Sequence, residues 1–79
     1  MADKISDDEL VGLVKSPGWE LVADKNDKAT TGTLEDVLKV HHQMHRSGET
    51  PGPIKQLETS IELDMLQIEM LWRYLGLPV

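Results

Sequence analysis

Apolar positions along the chain fall into three stretches, and their spacing predicts helices. The first stretch follows Ser6-Asp7-Asp8-Glu9, which has the Ser-x-x-Glu form of a helix capping box, and it ends at Ser16-Pro17-Gly18. Proline is favoured at the first position of a helix, so Pro17 predicts a second short helix over Trp19 to Ala23, with a strand as the alternative. We therefore expect two short N-terminal helices within residues 6–23.

The rest of the chain predicts a linker and a helical hairpin. Residues 24–32 are polar and without periodicity. Thr33-Leu34-Glu35-Asp36 then has the form of a helix start, and Gly48 suits the left-handed end of that helix. The connector after Gly48 is short and rich in proline, so the next helix is expected to fold back antiparallel. The hairpin covers residues 33–75.

The last predicted helix is apolar on two opposed sides. At about 100° per residue, one stripe has the width of an ordinary core face: Ile54, Leu57, Ile61, Met65, Ile68, Trp72 and Leu75. A second set lies on nearly the opposite side: Leu63, Leu66, Met70 and Tyr74, with Leu71 partly joining the two. Trp72 is expected in the core and Trp19, after a Pro-Gly break, to be partly exposed.

A helix with two apolar sides must be covered on both, because a small domain does not leave that much contiguous apolar surface in water. Either the N-terminal helices bury the second side, or a partner chain does. We expect a partner chain, most simply a second copy of the protein. The predicted interface consists of Leu63, Leu66, Met70, Leu71 and Tyr74.

Composition narrows the classes of function. The chain has 79 residues and no cysteine, so neither disulfides nor thiolate metal sites support its small core. Its net charge of −6 opposes nucleic-acid binding, which needs a clustered basic surface. The N-terminus lacks the apolar run of a signal peptide, and no stretch approaches the ~20 apolar residues of a membrane span. We expect a soluble, cytoplasmic protein that binds neither nucleic acid nor membranes.

The histidines are the main candidates for chemistry. His41 and His45 are four residues apart, so they share one side of a helix and could chelate a metal ion. A metalloprotease motif is absent, because His42 stands where that motif needs glutamate. The hairpin would place His41 near Glu58, whose carboxylate would raise the histidine pKa. We therefore predict a pH-responsive cluster of His41, His45 and Glu58, with metal binding as the alternative.

The remaining sequence features argue against catalysis and against calcium binding. The segment Asp24 to Glu35 has the outline of an EF-hand loop, but Lys28 and Ala29 stand where an oxygen donor and a glycine are required. The sequence has no glycine-rich phosphate loop and no nucleophile motif. We therefore predict no catalytic residue, no cofactor and no enzymatic activity.

Together these patterns predict an all-α domain over residues 1–79, a small bundle built on the helical hairpin and completed by dimerisation. The predicted function is that of a small acidic adaptor or regulatory protein, which acts as a homodimer through its two-faced C-terminal helix. The alternative is an accessory subunit or inhibitor that docks on a larger protein. A histidine-based metal-binding protein is the third hypothesis.

Overall fold

The computed structural model of the protein describes residues 5–22 and 30–79 and shows a mixed α/β fold. Its elements in chain order are α1 (Asp7–Gly12), β1 (Trp19–Leu21), β2 (Thr30–Gly32), α2 (Leu34–Arg46), β3 (Ile54–Gln56) and α3 (Met65–Tyr74). The strands form one antiparallel sheet in the order β2-β1-β3. The predicted all-α bundle with a helical hairpin over 33–75 is therefore wrong, because β3 replaces the first part of the hairpin's second helix.

The central strand β1 lies where the second short helix was predicted, so the strand alternative is correct. Its middle residue, Glu20, stands opposite Thr31 on one side and Lys55 on the other. Trp19 and Leu21 alternate with it and are buried on the opposite face of the sheet. Trp19 is fully buried, so the expected partial exposure is wrong. Strand partners far along the chain supply the hydrogen bonds that no local pattern announces.

The structure describes only the last part of the predicted linker. Of residues 24–32, residues 24–29 lie outside the described part of the chain, and so does most of the EF-hand-like outline. Thr30–Gly32 are not linker but form β2, which pairs with β1.

The predicted ends of α1 and α2 are confirmed at three positions. Ser6 caps α1, since its hydroxyl accepts a hydrogen bond from the Glu9 N–H at 3.3 Å, although α1 is shorter than predicted. Thr33 caps α2 in the same way through the Asp36 N–H at 3.2 Å. At the other end of α2, Gly48 has φ 81° and donates to the His45 carbonyl, as in a glycine-terminated helix.

The chain reverses direction after β3 without forming a helix. The Gln56 N–H donates to the Ile61 carbonyl at 2.7 Å, and the Leu63 N–H donates to the Ile54 carbonyl at 3.0 Å. Ser60 takes a left-handed conformation, with φ 57°, within this turn. These bonds occupy the Leu63 N–H and the Ile54 and Ile61 carbonyls, which a continuous helix through 54–64 would need, so that part of the predicted helix is wrong.

A capping box starts α3 after this turn. The Asp64 carboxylate accepts from the Gln67 N–H at 2.9 Å, and the Gln67 side-chain oxygen accepts from the Asp64 N–H at 3.3 Å. The Gln67 amide nitrogen also donates to the Ile5 carbonyl at 2.8 Å. Gln67 is therefore buried, and it attaches the start of α3 to the segment before α1.

The core lies between the inner face of the sheet and the helices. α2 packs against β1 and β2, while α3 packs against α1 and α2. The buried apolar residues are Leu10, Val14, Trp19, Leu21, Leu34, Val37, Leu38, Ile54, Leu63, Ile68, Leu71 and Trp72. Within residues 5–22 and 30–79, no helix has the length and apolarity needed to cross a membrane.

The predicted core stripe is buried at only some of its positions, and Ile54 is buried although it lies in β3 and not in a helix. Ile68 and Trp72 are buried as predicted, whereas Leu57 and Met65 are exposed. Leu57 lies in the turn after β3 and Met65 at the first position of α3, where the helical period had been extended too far toward the N-terminus.

We expect Gly52→Ala to destabilise the fold. The Val22 N–H donates to the Pro53 carbonyl at 2.9 Å, and this pairing brings Gly52 so close that an added Cβ would lie 1.6 Å from the Val22 carbonyl oxygen. Because both groups are backbone, the contact cannot relax by rotation of a side chain, and the free energy of unfolding should fall by more than ~2 kcal/mol. Urea unfolding followed by circular dichroism measures the change.

Gly12→Ala is the matched control. A Cβ at Gly12 meets nothing within 4 Å, and the residue is helical, so the variant should be unchanged or up to ~1 kcal/mol more stable. Equal stability of the two variants would contradict the close approach of Gly52 and Val22.

Candidate functional site

An apolar stripe lies on the solvent side of α3. Leu66, Met70 and Tyr74 are spaced four residues apart and so align along the helix. Leu66 is 75% exposed and Tyr74 58% exposed, while Met70 is half-buried between them and touches the core. We call these three residues the outer face of α3.

The burial of Trp72 determines which side of α3 points outward. Its indole N–H donates to the Leu38 carbonyl of α2 at 3.2 Å, and its side chain is almost completely buried. Ile68 and Leu71 lie on the same side of the helix and are also buried. Since one side is held against α2 in this way, the outer face must point away from the core.

The structure separates the five predicted interface residues into two groups. Leu66, Met70 and Tyr74 form the outer face, whereas Leu63 and Leu71 belong to the core of the chain itself. The exposure of Leu66 also shows that the described N-terminal residues do not cover this side of α3. The interface itself stays a prediction.

Two charged side chains lie beside the outer face. Glu69 and Arg73 are four residues apart on α3, on the edge adjacent to Leu66. Arg73 is exposed and Glu69 is half-buried. The outer face is therefore an apolar stripe with one acidic and one basic group along the same edge.

Three imidazoles surround the Trp72 indole on its α2 side. The ring centroids of His41, His42 and His45 lie 5.5, 5.0 and 5.3 Å from that of Trp72. His42 meets the indole edge-on, a favourable arrangement of aromatic rings. We call these four residues the histidine cluster. Glu58, the third member of the predicted pH-responsive group, lies on the exposed turn after β3.

The C-terminal segment returns to this cluster. Gly76, with φ 80°, donates to the Arg73 carbonyl, and the Leu77 N–H donates to the Trp72 carbonyl, which closes α3 with a Schellman turn. The turn brings the Pro78 carbonyl oxygen to 2.5 Å from His42 Nε2. His42 therefore donates this bond when its Nε2 carries the proton, and it holds the end of the chain against α2.

Among the titrating groups of residues 5–22 and 30–79, His41 is the one whose pKa the fold alters most. Burial is the main cause, followed by the neighbouring His45 and then His42, and together they lower the pKa of His41 from 6.5 to about 4. Its Nδ1 is buried and has no hydrogen-bond partner among the described residues. The predicted rise of the His41 pKa beside Glu58 is wrong, because burial and the neighbouring imidazoles lower this pKa while Glu58 lies on the exposed turn after β3.

The described residues do not bring together a set of side chains that could bind a metal ion. In residues 5–22 and 30–79, no group of three His, Cys, Asp or Glu side chains is placed to hold one ion. His41 and His45 do share one side of α2, as their spacing predicted, but both rings lie against Trp72.

Sequence reasoning missed two polar residues that organise this region. Gln67 was assigned no role, yet it caps α3 and is buried. The pattern Asp64-x-x-Gln67 before an apolar run is a capping-box signature that could have located the start of α3. His42 was assigned no role, and its bond to the Pro78 carbonyl could not be anticipated from the sequence.

Comparisons with protein-family models, characterised proteins and solved structures found no match to this chain.

We expect the stability of the protein to fall as pH drops from about 6.5 toward about 4 because of His41. The unfolded chain binds a proton at His41 near pH 6.5, whereas the folded chain resists it until about pH 4, so acid favours unfolding. The contribution is fully present above the unfolded pKa and is lost below it. His41→Gln should reduce the loss between pH 7 and pH 4.5 by roughly 2 kcal/mol, measured by urea unfolding at each pH.

The control is His45→Gln, which keeps the His41 imidazole and its burial, the main cause of the lowered pKa, and should therefore keep most of the wild-type slope. Carboxylates also titrate in this range, but they do so in all three proteins and cancel in the comparison. Parallel profiles for wild type and His41→Gln would contradict the desolvation of His41.

Proposed function

We propose that this protein is a small acidic adaptor or regulatory protein, without enzymatic activity, that acts as a homodimer through the outer face of α3. The observation that carries the proposal is the 75% exposure of Leu66, which lies in line with Met70 and the 58% exposed Tyr74 on a helix whose opposite side is buried. Contiguous apolar side chains on a small domain are typical of a contact surface for another protein. The flanking Glu69 and Arg73 supply the polar rim that such surfaces have.

The size of this face predicts a weak association. Burying a leucine side chain of this kind contributes about 1.5–3 kcal/mol, and the outer face offers three large side chains. Stable interfaces bury about 800 Å² per partner. The whole chain exposes 5164 Å², and the outer face is one side of a single short helix, so it offers less area than a stable interface needs. We therefore propose a dimer whose population depends on protein concentration.

A second candidate uses the same face. In it, the outer face of α3 docks on a larger protein and the net charge of −6 matches a basic surface, as an accessory subunit or inhibitor would require. For either candidate we propose the cytoplasm as the compartment, since small domains in oxidising compartments usually depend on disulfides and this chain has no cysteine.

Leu66→Glu tests the homodimer. The charge would be desolvated in the interface of the dimer but solvated in the monomer, so the variant should become monomeric while keeping its helicity. Sedimentation equilibrium over a range of concentrations measures the mass, and circular dichroism checks the fold.

Leu57→Glu is the matched control, because Leu57 is 52% exposed but lies outside α3, and this variant should dimerise like wild type. If both variants dimerise, the outer face is not the interface. If wild type is a monomer at every concentration, the homodimer is wrong and the larger-partner candidate replaces it.

A further inference from the structure

We infer that the occupant of the outer face is a second copy of α3 in antiparallel orientation, with a two-fold axis passing beside Met70. This inference rests on the proposed function, because it assumes that the outer face of α3 binds the same chain. It adds the geometry of the pair, and that geometry follows from where the charged residues lie relative to Met70.

The positions of Glu69 and Arg73 along the axis of α3 bring opposite charges together when the second copy is antiparallel. At about 1.5 Å per residue, Glu69 lies about 1.5 Å before Met70, and Arg73 lies about 4.5 Å after it. The two-fold rotation at Met70 places the partner's Glu69 about 1.5 Å after Met70, measured along the axis of the first helix. Arg73 of one protomer and the partner's Glu69 are then separated by about 3 Å along the helix axis, within reach of a salt bridge.

The two charges also lie on the edge that the symmetry requires. A two-fold axis perpendicular to both helices brings the same edge of each protomer together. Glu69 and Arg73 share one edge of the outer face, so the antiparallel pair makes two equivalent Arg73 to Glu69 contacts. Leu66 of one protomer lies level with the partner's Tyr74, and the two Met70 side chains meet at the axis.

A parallel pair lacks this complementarity. Its two-fold axis runs along the helices and sets the Glu69 and Arg73 edge against the opposite edge, which carries Gln67 and Tyr74. Gln67 is buried and bonded to the Ile5 carbonyl, so it offers no partner to Arg73. Parallel helix dipoles would also place like ends side by side. Exposed ion pairs are individually weak, but only the antiparallel pair gives Glu69 and Arg73 oppositely charged partners, and this difference favours the antiparallel orientation.

Cysteine pairing tests the orientation in a chain that contains no native cysteine. Leu66→Cys and Tyr74→Cys are prepared separately and oxidised alone and as an equimolar mixture. The antiparallel pair sets position 66 level with the partner's position 74 but separates the two copies of position 66 by about 12 Å along the axis, too far for a disulfide. We expect a covalent dimer in the mixture only.

Each other outcome overturns the inference in a distinguishable way. Covalent dimers of Leu66→Cys alone would show a parallel pair and leave the proposed homodimer standing. No covalent dimer in any sample, with a dimeric wild type, would move the interface away from the outer face. No covalent dimer with a monomeric wild type would overturn the proposed function as well.

Charge reversal gives an independent measurement on the intact chain. Arg73→Glu and Glu69→Arg each place like charges in both contacts and should weaken self-association at least about tenfold. In an equimolar mixture, the heterodimer regains opposite charges in both contacts, so sedimentation should show dimers again. Each variant also places two like charges four residues apart within α3, and circular dichroism of each shows whether the helix is intact. A mixture that stays as monomeric as its components would overturn the antiparallel pair.

Discussion

The burial of the Trp72 indole against α2 is the interaction on which the arrangement of this protein most depends. The indole donates to the Leu38 carbonyl and is enclosed by imidazoles of the same helix, so α3 can sit on α2 in only one rotation. Losing a buried tryptophan typically costs 3–5 kcal/mol, a large share of the ~5–15 kcal/mol that holds a small domain together. The same contact that completes the core therefore leaves Leu66 and Tyr74 on the surface.

Packing against Trp72 changes the protonation behaviour of the histidine cluster through His41. Imidazoles pack well on an indole, but a charged imidazole there would lose its hydration, and the pKa of His41 falls accordingly. His42 packs edge-on against the same indole, and its Nε2 bonds to the Pro78 carbonyl. The packing of α3 on α2 is thereby linked to pH through His41, while Glu58, the carboxylate that the sequence suggested, lies on the exposed turn after β3.

The outer face of α3 was partly predictable, and the reason lies in the length of the helix. Leu66, Met70 and Tyr74 fall within α3, so a helical period describes them correctly. Leu63 precedes the helix, and its N–H pairs with the Ile54 carbonyl, so its side chain follows the period of an extended chain and enters the core. The alternation of Ile61 and Leu63 with polar neighbours carried that signal, but the longer helical pattern around it masked the alternation.

The sequence by itself determined the features that depend on a few neighbouring residues. The caps at Ser6 and Thr33 and the glycine end at Gly48 require only local hydrogen bonds and backbone freedom, and all three occur as expected. Tertiary structure alone decided the sheet, because strands of three residues are too short to show a period and exist only when distant segments pair. Glu20 meets Thr31 and Lys55 across gaps of 11 and 35 positions, and Gly52 approaches Val22 across a gap of 30. The environment of His41 was decided in the same way, since burial against Trp72 is a property of the assembled core.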